Sequence, residues 1–306
     1  MSSKKSKTKI YDVAIIGGGP AGLTSAIYSA RYQLDTIVFS NSYGGTASMA
    51  HKICNFPTYT EISGLEFIDR MINQVTKLEV PIIYENVVDI KSEKNNFIIK
   101  SDSKNYKAKK IILAIGTKRR KLGLSKEGKY LGKNLSYCAT CDGPLYKNKI
   151  VAVVGSGNSA VTSALMLSDI AKVVYLIYRK DKLKAEPAWL NLLKKTKNIK
   201  LISNMQIIDL VGENNLEAVI LNNKNQLKIN GLFVEIGSIT DTELLTKLKI
   251  KFDKEGYIVV NNNQNTTIKG IYAAGDCTNF SSLKQIITAS SQGAIAVDNI
   301  YKELKE

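Results

Sequence analysis

One pattern, a strand followed by a glycine-rich turn, a helix and a second strand, occurs twice in this chain of 306 residues. The first copy, YDVAIIGGGPAGLTSAIYSARYQLDTIVFS, begins at residue 11, and the second, KIVAVVGSGNSAVTSALMLSDIAKVVYLIYRK, begins at residue 149. Short alternating strands with polar turns follow each copy, and each set ends in an apolar strand that glycine closes. The repeat therefore predicts two βαβ modules, each with an antiparallel meander.

The repeat also sets the expected domain organisation. We expect an α/β protein with two Rossmann-like dinucleotide-binding domains, each with a βαβ core and an antiparallel β-meander, the second inserted in the first. The first domain is predicted to comprise residues 1–117 and 243–306, and the second residues 118–242. The chain length fits two domains, and the tail offers the apolar strand GIYAAGD and then a helix from about Leu283 to Leu304.

The first glycine cluster, Gly17, Gly19 and Gly22, fits the G-x-G-x-x-G fingerprint of a dinucleotide site. The first glycine permits a tight turn, the second lets the backbone approach a pyrophosphate, and the third allows the helix to pack closely against the strand. The helix N-terminus then favours the anion. An acidic residue is expected at the end of the second strand, but Phe39-Ser40-Asn41 stands there, so the adenosine ribose must be held by other groups.

The second cluster, Gly155, Gly157 and Ala160, is the G-x-G-x-x-A variant. The end of its second strand is basic, with the segment YRKDKLK at residues 178–184 where an acid would bind a free ribose 2′-hydroxyl. Arginine and lysine suit a 2′-phosphate, so the segment favours NADP. A solvated basic loop in a lysine-rich protein is the alternative. Two dinucleotide sites in one chain indicate one bound flavin and one exchangeable nicotinamide nucleotide.

A closely spaced pair of cysteines, Cys138 and Cys141, lies between the two modules in the segment SYCATCDG. This spacing suits a disulfide and also suits a metal. His51 is the only histidine and the other cysteines are isolated, so we expect no metal site. Structural thiols are a second alternative. A reactive dithiol is the better interpretation, because Asp142 can supply or remove the proton that thiol–disulfide exchange requires.

Composition excludes several classes of partner. The chain carries 43 Lys and Arg against 27 Asp and Glu, a formal charge of +16, but no block of five basic residues occurs, so nucleic-acid binding is not indicated. No apolar run reaches the ~20 residues of a membrane span. Four cysteines are too few for a secreted disulfide framework. We therefore expect a cytoplasmic protein without a membrane or nucleic-acid partner.

In order along the chain, the motifs GGGPAG, SYCATCDG, GSGNSAV, YRKDKLK and GIYAAGD resemble those of low-molecular-weight thioredoxin reductases, which are class II pyridine nucleotide-disulfide oxidoreductases. The resemblance covers nearly the whole chain. It implies an FAD-binding domain interrupted by an NADPH-binding domain that carries the redox pair. It also implies a homodimer in which electrons pass from NADPH to FAD, to the cysteine pair and then to thioredoxin or to a thioredoxin-like or glutaredoxin-like protein.

The resemblance also assigns roles to individual residues. Cys141 would be the thiol nearest the flavin, Cys138 the thiol that exchanges with the protein substrate, and Asp142 the general acid/base. The positions that match FAD contacts in the family are Gly17, Gly19, Pro20, Ala21, Gly22, Gly45, Thr46, Asn55, Val87, Ala114, Gly275, Asp276, Lys284, Gln285 and Ile286. The positions that match NADP contacts are Gly155, Gly157, Asn158, Ser159, Ala160, Arg179, Lys180 and Lys184.

The chain departs from the family pattern in its basic residues. The family signature is usually His-Arg-Arg-x-x-x-Arg, whereas this chain has Tyr178, Arg179, Lys180 and Lys184, and it has Lys284 where arginine is common. Positive charge is retained, which favours NADPH over NADH. Two alternatives use the same scaffold: a flavin-dependent NAD(P)H oxidase or ferredoxin-type reductase, and a redox-sensing flavoprotein. An oxidase would not need the cysteine pair.

Overall fold

The computed structural model describes residues 9–240, 244–245 and 248–306. The chain divides into two compact units, the first comprising Met1–Lys118 and Ile239–Glu306 and the second Arg119–Ser238. The second unit is thus inserted in the first, as the α/β interpretation predicts. The predicted domain boundary between residues 242 and 243 lies outside the described residues.

The order of strands and helices contains the two predicted βαβ modules. In the described residues the strands are β1 (Ile10–Ile16), β2 (Thr36–Phe39), β3 (Ile82–Ile83), β4 (Val87–Glu93), β5 (Asn96–Ser101), β6 (Asn105–Leu113), β7 (Thr117–Arg119), β8 (Leu135–Ser136), β9 (Ile150–Val154), β10 (Val173–Ile177), β11 (Ile199–Ile202), β12 (Ile207–Val211), β13 (Ala218–Leu221), β14 (Gln226–Lys228), β15 (Gly231–Val234), β16 (Ser238–Thr240) and β17 (Ile271–Ala273). The α-helices are α1 (Pro20–Arg31), α2 (Gly64–Lys77), α3 (Glu127–Tyr130), α4 (Ala139–Asp142), α5 (Asn158–Ser168), α6 (Pro187–Lys195) and α7 (Ile286–Lys305). The two modules are β1-α1-β2 and β9-α5-β10.

The first unit is built on one sheet with the strand order β3-β2-β1-β6-β5-β4, and β17 also pairs with β6. The strands β1, β2, β3, β6 and β17 run parallel, whereas β4, β5 and β6 form the predicted antiparallel meander. Side chains alternate along β1, so Val13 and Ile15 pack into a core with helices α1, α2 and α7, while Ala14 and Ile16 pack into a core on the other face. Burial on both faces explains why the end of this strand, VAII at residues 13–16, is a continuous apolar run.

The second unit has a parallel sheet with the strand order β11-β10-β9-β15-β8 and a separate antiparallel sheet with the order β12-β13-β14. Val151 and Val153 of β9 pack with helix α5, and Ala152 and Val154 pack with residues of β12 and β13. The second βαβ module therefore has a helix on one face of its sheet and the predicted meander on the other.

In both parallel sheets the strand order changes direction beside the strand that precedes the glycine turn. The chain proceeds from β1 to β2 and β3 on one side, with β6 on the other side; likewise it proceeds from β9 to β10 and β11, with β15 on the other side. Ile16 pairs with Leu113, and Val154 pairs with Val234, so the carboxyl ends of each central pair of strands are level. In open α/β sheets ligands bind in the crevice outside these ends.

Strands β7 and β16 contain the two points at which the chain passes from one unit to the other, and they pair as a small two-stranded sheet. The backbone N–H of Arg120 donates to the carbonyl of Gly237 across 2.9 Å at this ladder. Among the described residues no helix combines the length and the apolar character that crossing a bilayer requires.

Candidate active site

The first glycine turn leaves no room for side chains at two of its three predicted positions. Gly17 has a φ of +119°, and a Cβ placed on it would lie 2.1 Å from the carbonyl oxygen of Ala114. A Cβ on Gly22 would lie 1.8 Å from the carbonyl oxygen of Gly17. Both contacts are with backbone atoms, so neither can relax by a side-chain rotation. The turn therefore holds strand β1, strand β6 and helix α1 in close contact, as the fingerprint predicts.

The N-terminus of helix α1 is open to a ligand. Gly19 is the N-cap residue and Pro20 follows it, no side chain of residues 9–240, 244–245 or 248–306 caps the first turn, and this turn contains no acidic residue. The Cβ position of Gly45, which has a φ of +61°, lies 3.6 Å from the Cα of Gly19. Gly45 and the exposed Thr46 begin a 3₁₀ turn that is thereby placed beside the glycine turn. The free backbone N–H groups and the helix dipole suit a pyrophosphate.

The segment after β17 reaches the same edge of the sheet. Gly275 has a φ of +89°, and its Cβ position lies 3.0 Å from the Cβ of Ala21 in helix α1. The buried amide oxygen of Gln292 accepts hydrogen bonds from the Gly275 N–H at 2.9 Å and from the Thr278 hydroxyl at 2.7 Å. These bonds fix the loop that carries Asp276. Burial raises the pKa of the Asp276 carboxyl, and the nearby Lys284 ammonium opposes that rise.

The predicted residues before helix α7 meet the segment around Asn55. Asn55 donates from Nδ2 to Oε1 of Gln285 across 3.1 Å, and Gln285 also forms a capping box with Thr288. The Lys284 ammonium donates to the carbonyl of Thr278 and lies 4.3 Å from the centre of the Tyr257 ring. Ile286 is the first residue of the helix.

Val87, the remaining predicted flavin contact, is the first residue of β4. It comes four residues after Ile83, which pairs with Phe39 at the end of β2, and it packs on the core that contains Phe39. The structure thus gathers the glycine turn, Gly45, Ala114 and the Gly275 loop at one edge, and it pairs Asn55 with Gln285. Val87 lies instead in the meander.

The second glycine turn repeats the geometry of the first. Gly155 has a φ of +148°, and its Cβ position lies 2.1 Å from the carbonyl oxygen of Glu235 and 2.9 Å from the Cβ of Ala160. Gly157 is the N-cap of helix α5, and in the part of the chain that the structure describes no side chain caps that helix and no atom lies within 4 Å of the Gly157 Cβ position. The exposed Ser159 lies in the first turn. This turn can therefore also hold a pyrophosphate.

The basic segment is attached to the second glycine turn by backbone and side-chain hydrogen bonds. The Lys184 N–H donates to the carbonyl of Ser156 across 2.7 Å. Asn158 donates from Nδ2 to Glu186 Oε1 at 2.8 Å, and the Glu186 N–H donates to Asn158 Oδ1 at 2.7 Å.

The three cations of this segment that match NADP contacts face solvent. The side chains of Arg179, Lys180 and Lys184 are exposed, and none forms an ion pair with a carboxylate in the described part of the chain. Their charge is available to a phosphate next to the turn.

The cysteine pair forms a disulfide with a Cα–Cα distance of 5.3 Å. Cys138 caps the short helix α4, and its Sγ accepts a hydrogen bond from the backbone N–H of Cys141 at 3.2 Å. The Cys138 N–H donates to the hydroxyl of Ser136 at 2.9 Å. Cys138 is half-buried and Cys141 is exposed. Because β8 runs parallel to β15, the disulfide follows β8 at the same edge of the sheet as the second glycine turn.

Asp142 follows the disulfide and is half-buried. Its carboxylate accepts no hydrogen bond from the side chains or backbone of the described residues. Burial raises the pKa of the Tyr146 phenol, and the negative charge of Asp142 adds to that rise. A carboxylate without a fixed partner beside the disulfide is free to carry a proton during thiol chemistry.

Sequence reasoning missed a network beside the second glycine turn. Glu235, at the end of β15, is buried; its Oε2 accepts from Arg119 Nη1, and its Oε1 accepts from the Ser163 hydroxyl at 3.2 Å. The signal was a glutamate directly after the apolar run GLFV, at the edge where the crevice lies. The structure also adds Gln292 and Tyr257 to the surroundings of the first site. Among the described residues no cluster of His, Cys, Asp and Glu has the composition of a metal site.

Comparison with known proteins places the chain in a defined group. The family model described as pyridine nucleotide-disulphide oxidoreductase matches residues 11–293. The thioredoxin reductase of Mycoplasma pneumoniae is 38% identical over 295 residues, which cover 94% of this chain and 93% of that protein. The crystal structure of Lactococcus lactis thioredoxin reductase matches with a TM-score of 0.92 at 32% identity, covering 95% of this chain and 98% of that one. The crystal structure of T. acidophilum thioredoxin reductase also gives 0.92 at 32% identity, covering 97% and 99%.

Proposed function

The chain belongs to the pyridine nucleotide-disulphide oxidoreductase family and, within it, to the low-molecular-weight thioredoxin reductases, and from this premise we propose how its residues divide the reaction. Its activity is the reduction of a thioredoxin-type disulfide with electrons from a nicotinamide nucleotide. The observation that carries this function is the Cys138–Cys141 disulfide, which lies at the same sheet edge as a glycine turn suited to that nucleotide.

The flavin is FAD, held by the first unit. Its pyrophosphate fits the open N-terminus of α1 beside Gly19 and Gly45, where the free backbone N–H groups require an acceptor. The Asp276 carboxylate at the same edge can accept a hydrogen bond from a hydroxyl of FAD. Gln285 and Ile286 form the N-terminal end of α7 beside this site. When bound, FAD supplies the two-electron exchange between the nicotinamide and the disulfide.

The nicotinamide nucleotide is NADPH, held by the second unit. Its pyrophosphate fits the turn at Gly155 and Gly157, and its 2′-phosphate fits the cations that follow β10. Arg179 offers a planar fork, whereas Lys180 and Lys184 offer point charges. The hydrogen bond from the Lys184 N–H to Ser156 holds this segment against the turn before the nucleotide arrives.

The reduced cysteine pair passes two electrons to its partner in two exchange steps. First, the Cys138 thiolate attacks one sulfur of the partner disulfide; a bond forms between the two proteins, and the second partner sulfur leaves as a thiolate. Cys141 then attacks Cys138 Sγ, which restores the Cys138–Cys141 disulfide and releases the partner as a dithiol. Asp142 accepts the proton of the Cys141 thiol and gives it to the partner thiolate that leaves in this second step, and the partner thiolate released in the first step takes its proton from solvent.

The hydrogen bond between Cys141 N–H and Cys138 Sγ supports the role of Cys138 as the exchanging thiol. A donor directed at a sulfur favours its charged form over its protonated form. A thiolate is the reactive form both as attacking nucleophile and as leaving group. In this proposal the partner is a thioredoxin or a thioredoxin-like or glutaredoxin-like protein. The enzyme is a homodimer. The reaction takes place in the cytoplasm, where thiols are kept reduced.

A coupled assay tests this function. With FAD and NADPH, the protein is expected to oxidise NADPH in proportion to added thioredoxin disulfide, and Cys138→Ser is expected to abolish that turnover while NADPH still bleaches the flavin absorbance. Equal NADPH consumption by oxygen with and without thioredoxin would identify an oxidase. Flavin reduction without turnover of any disulfide protein would identify a sensor.

A further inference from the structure

The crevice between β9 and β15 contains a charged group that the proposed nucleotide contacts leave unused. These strands adjoin where the strand order changes direction, and Gly155 and Glu235 follow them at the same level. In such folds a dinucleotide lies across this point. The residues after β10 are the predicted adenosine side, so the nicotinamide half must extend in the other direction, over the end of β15.

At the end of β15 the side chains of Arg119, Glu235 and Ser163 form one network. The Arg119 guanidinium donates from Nη1 to Glu235 Oε2, and the Ser163 hydroxyl donates to Glu235 Oε1 at 3.2 Å. The Glu235 side chain is 3% exposed and that of Arg119 is 28% exposed. The buried Glu235 carboxylate accepts from both donors, and its contact with Arg119 fixes the position of the guanidinium. Removing either member of this ion pair would leave the other charge without compensation.

One donor of this guanidinium is not used in the contacts with Glu235. Arg119 Nε is buried and has no hydrogen-bond partner among the described residues. Buried donors in folded proteins are almost always paired with protein, water or ligand. An arginine with a fixed position, an unused buried donor and partial exposure beside a dinucleotide crevice is arranged as an anion-binding group.

We propose that Arg119, positioned by Glu235 and Ser163, binds the nicotinamide half of the nucleotide through its phosphate or ribose oxygens. This inference rests on the proposed binding of NADPH by the second unit. It adds a contact to those of the glycine turn and the basic segment, because those groups hold the pyrophosphate and the adenosine 2′-phosphate, whereas Arg119 holds the part of the nucleotide that lies over β15. Glu235 acts through Arg119 and is a positioning residue.

The test is a calorimetric binding titration of the flavin-loaded protein with three probes. NADP⁺ contains both halves of the nucleotide, 2′-phospho-ADP-ribose lacks only the nicotinamide ring, and adenosine 2′,5′-bisphosphate contains only the adenosine half. For Arg119→Met we expect about tenfold weaker binding of the first two probes, as the loss of one charge-assisted hydrogen bond implies. Binding of the bisphosphate should be unchanged. Arg179→Ala is the matched control and should weaken all three.

A double variant separates binding from folding. Arg119→Met leaves Glu235 buried without its cation, so Arg119→Met with Glu235→Gln removes both charges; the tenfold loss for NADP⁺ should persist in it. Recovery of wild-type affinity in the double variant would overturn the inference, as would equal weakening of all three probes by Arg119→Met or no weakening at all. If the wild-type protein binds none of the probes, the proposed nucleotide site itself fails.

Discussion

Cys141 and Cys138 are joined by a hydrogen bond as well as by their disulfide, because the backbone N–H of Cys141 donates to Cys138 Sγ across 3.2 Å. The donor belongs to the backbone of helix α4, so substituting either cysteine side chain does not remove it. We therefore expect it to distinguish the two sulfurs of the reduced pair and to favour the charge on Cys138.

From this asymmetry we predict that Cys141→Ser traps the protein substrate on Cys138. Its thiolate retains the backbone donor, but the variant lacks the thiol that would resolve the mixed disulfide. The measurement uses thioredoxin without its own resolving cysteine, activated as a thionitrobenzoate mixed disulfide, and non-reducing electrophoresis with mass spectrometry of the adduct. A larger yield of adduct on Cys138→Ser, through Cys141, would reverse the assignment of the two thiols, and an equal yield would contradict the asymmetry.

The two cysteines outside the pair should differ in reactivity. Desolvation raises the pKa of both thiols, but Cys54 is exposed, whereas Cys277 is buried with its thiol directed at the carbonyls of Ala274 and Leu113, and its pKa is raised to about 12. Thiolates react and thiols do not. We therefore expect the oxidised native protein to show one rapidly titrating thiol with Ellman's reagent at pH 8. Cys54→Ser should remove it, and Cys277 should react only after denaturation. Rapid modification of Cys277 in the native protein would contradict its burial.

The sequence predicts local geometry better than it predicts contacts between distant segments. The spacing of Gly17 and Gly22 is sufficient to predict the turn, because the close approach of backbone atoms there permits only glycine. The fold class is also predicted from local features, because the repeated pattern of strand, glycine turn, helix and strand is visible within a short stretch of sequence. By contrast, Asn55 and Gln285 meet across 230 positions, and Arg119 and Glu235 across 116.

These distant pairs have no local periodicity, so no window of sequence indicates them. They depend on how the strands are ordered in each sheet. Glu235 is the clearest example. In the sequence, a charged residue after an apolar run indicates only that the strand ends there. That this end lines a crevice depends on the pairing of β15 with β9, which the sequence does not indicate.

Gln292→Leu should weaken flavin binding indirectly, through the loop that carries Asp276 and without a contact between Gln292 and the flavin. The change removes the acceptor for the Gly275 N–H and the Thr278 hydroxyl, and it leaves a buried donor unsatisfied. Such a loss costs about 1–3 kcal/mol. We expect a lower melting temperature and a lower ratio of flavin to protein absorbance after purification. The exposed Gln226→Leu is the matched control and should leave both unchanged; full flavin content in Gln292→Leu would show that the Asp276 loop does not depend on this bond.

The stability of the protein should carry a pH signature of Glu235. Burial raises the pKa of this carboxyl, and the charge of Arg119 and the hydrogen bonds from Ser163 and Arg119 oppose the rise only in part. Because the folded pKa lies above the unfolded value of 4.5, the folded state binds the proton more tightly, and ionised Glu235 lowers stability at neutral pH. That loss is reversed as the pH falls through the folded pKa towards 4.5.

Glu235→Gln isolates this effect, since every other titrating group is common to both proteins. The melting temperature of the wild type minus that of the variant should increase from pH 8 to pH 5. A difference that decreases over this range would mean that the Arg119 pair lowers the folded pKa below its unfolded value.

Nucleotide preference should depend on Arg179. Its side chain is exposed at the end of β10, has no carboxylate partner in the described part of the chain, and belongs to a segment fixed to the glycine turn by the bond from Lys184 N–H to Ser156. Loss of a charge-assisted contact to the 2′-phosphate commonly costs roughly 1.5–3 kcal/mol, or about one to two decades in affinity. NADH lacks that phosphate, so Arg179→Ala should raise the KM for NADPH by one to two decades and leave the KM for NADH within about twofold, as measured by steady-state kinetics with thioredoxin disulfide.

Lys182→Ala is the control. It removes another exposed cation from the same loop, at a position that the fingerprint does not assign to the phosphate, and it should change the KM for neither nucleotide. If Arg179→Ala changes both nucleotides equally, Arg179 does not contact the 2′-phosphate, and the choice between NADPH and NADH must be made by Lys180 and Lys184.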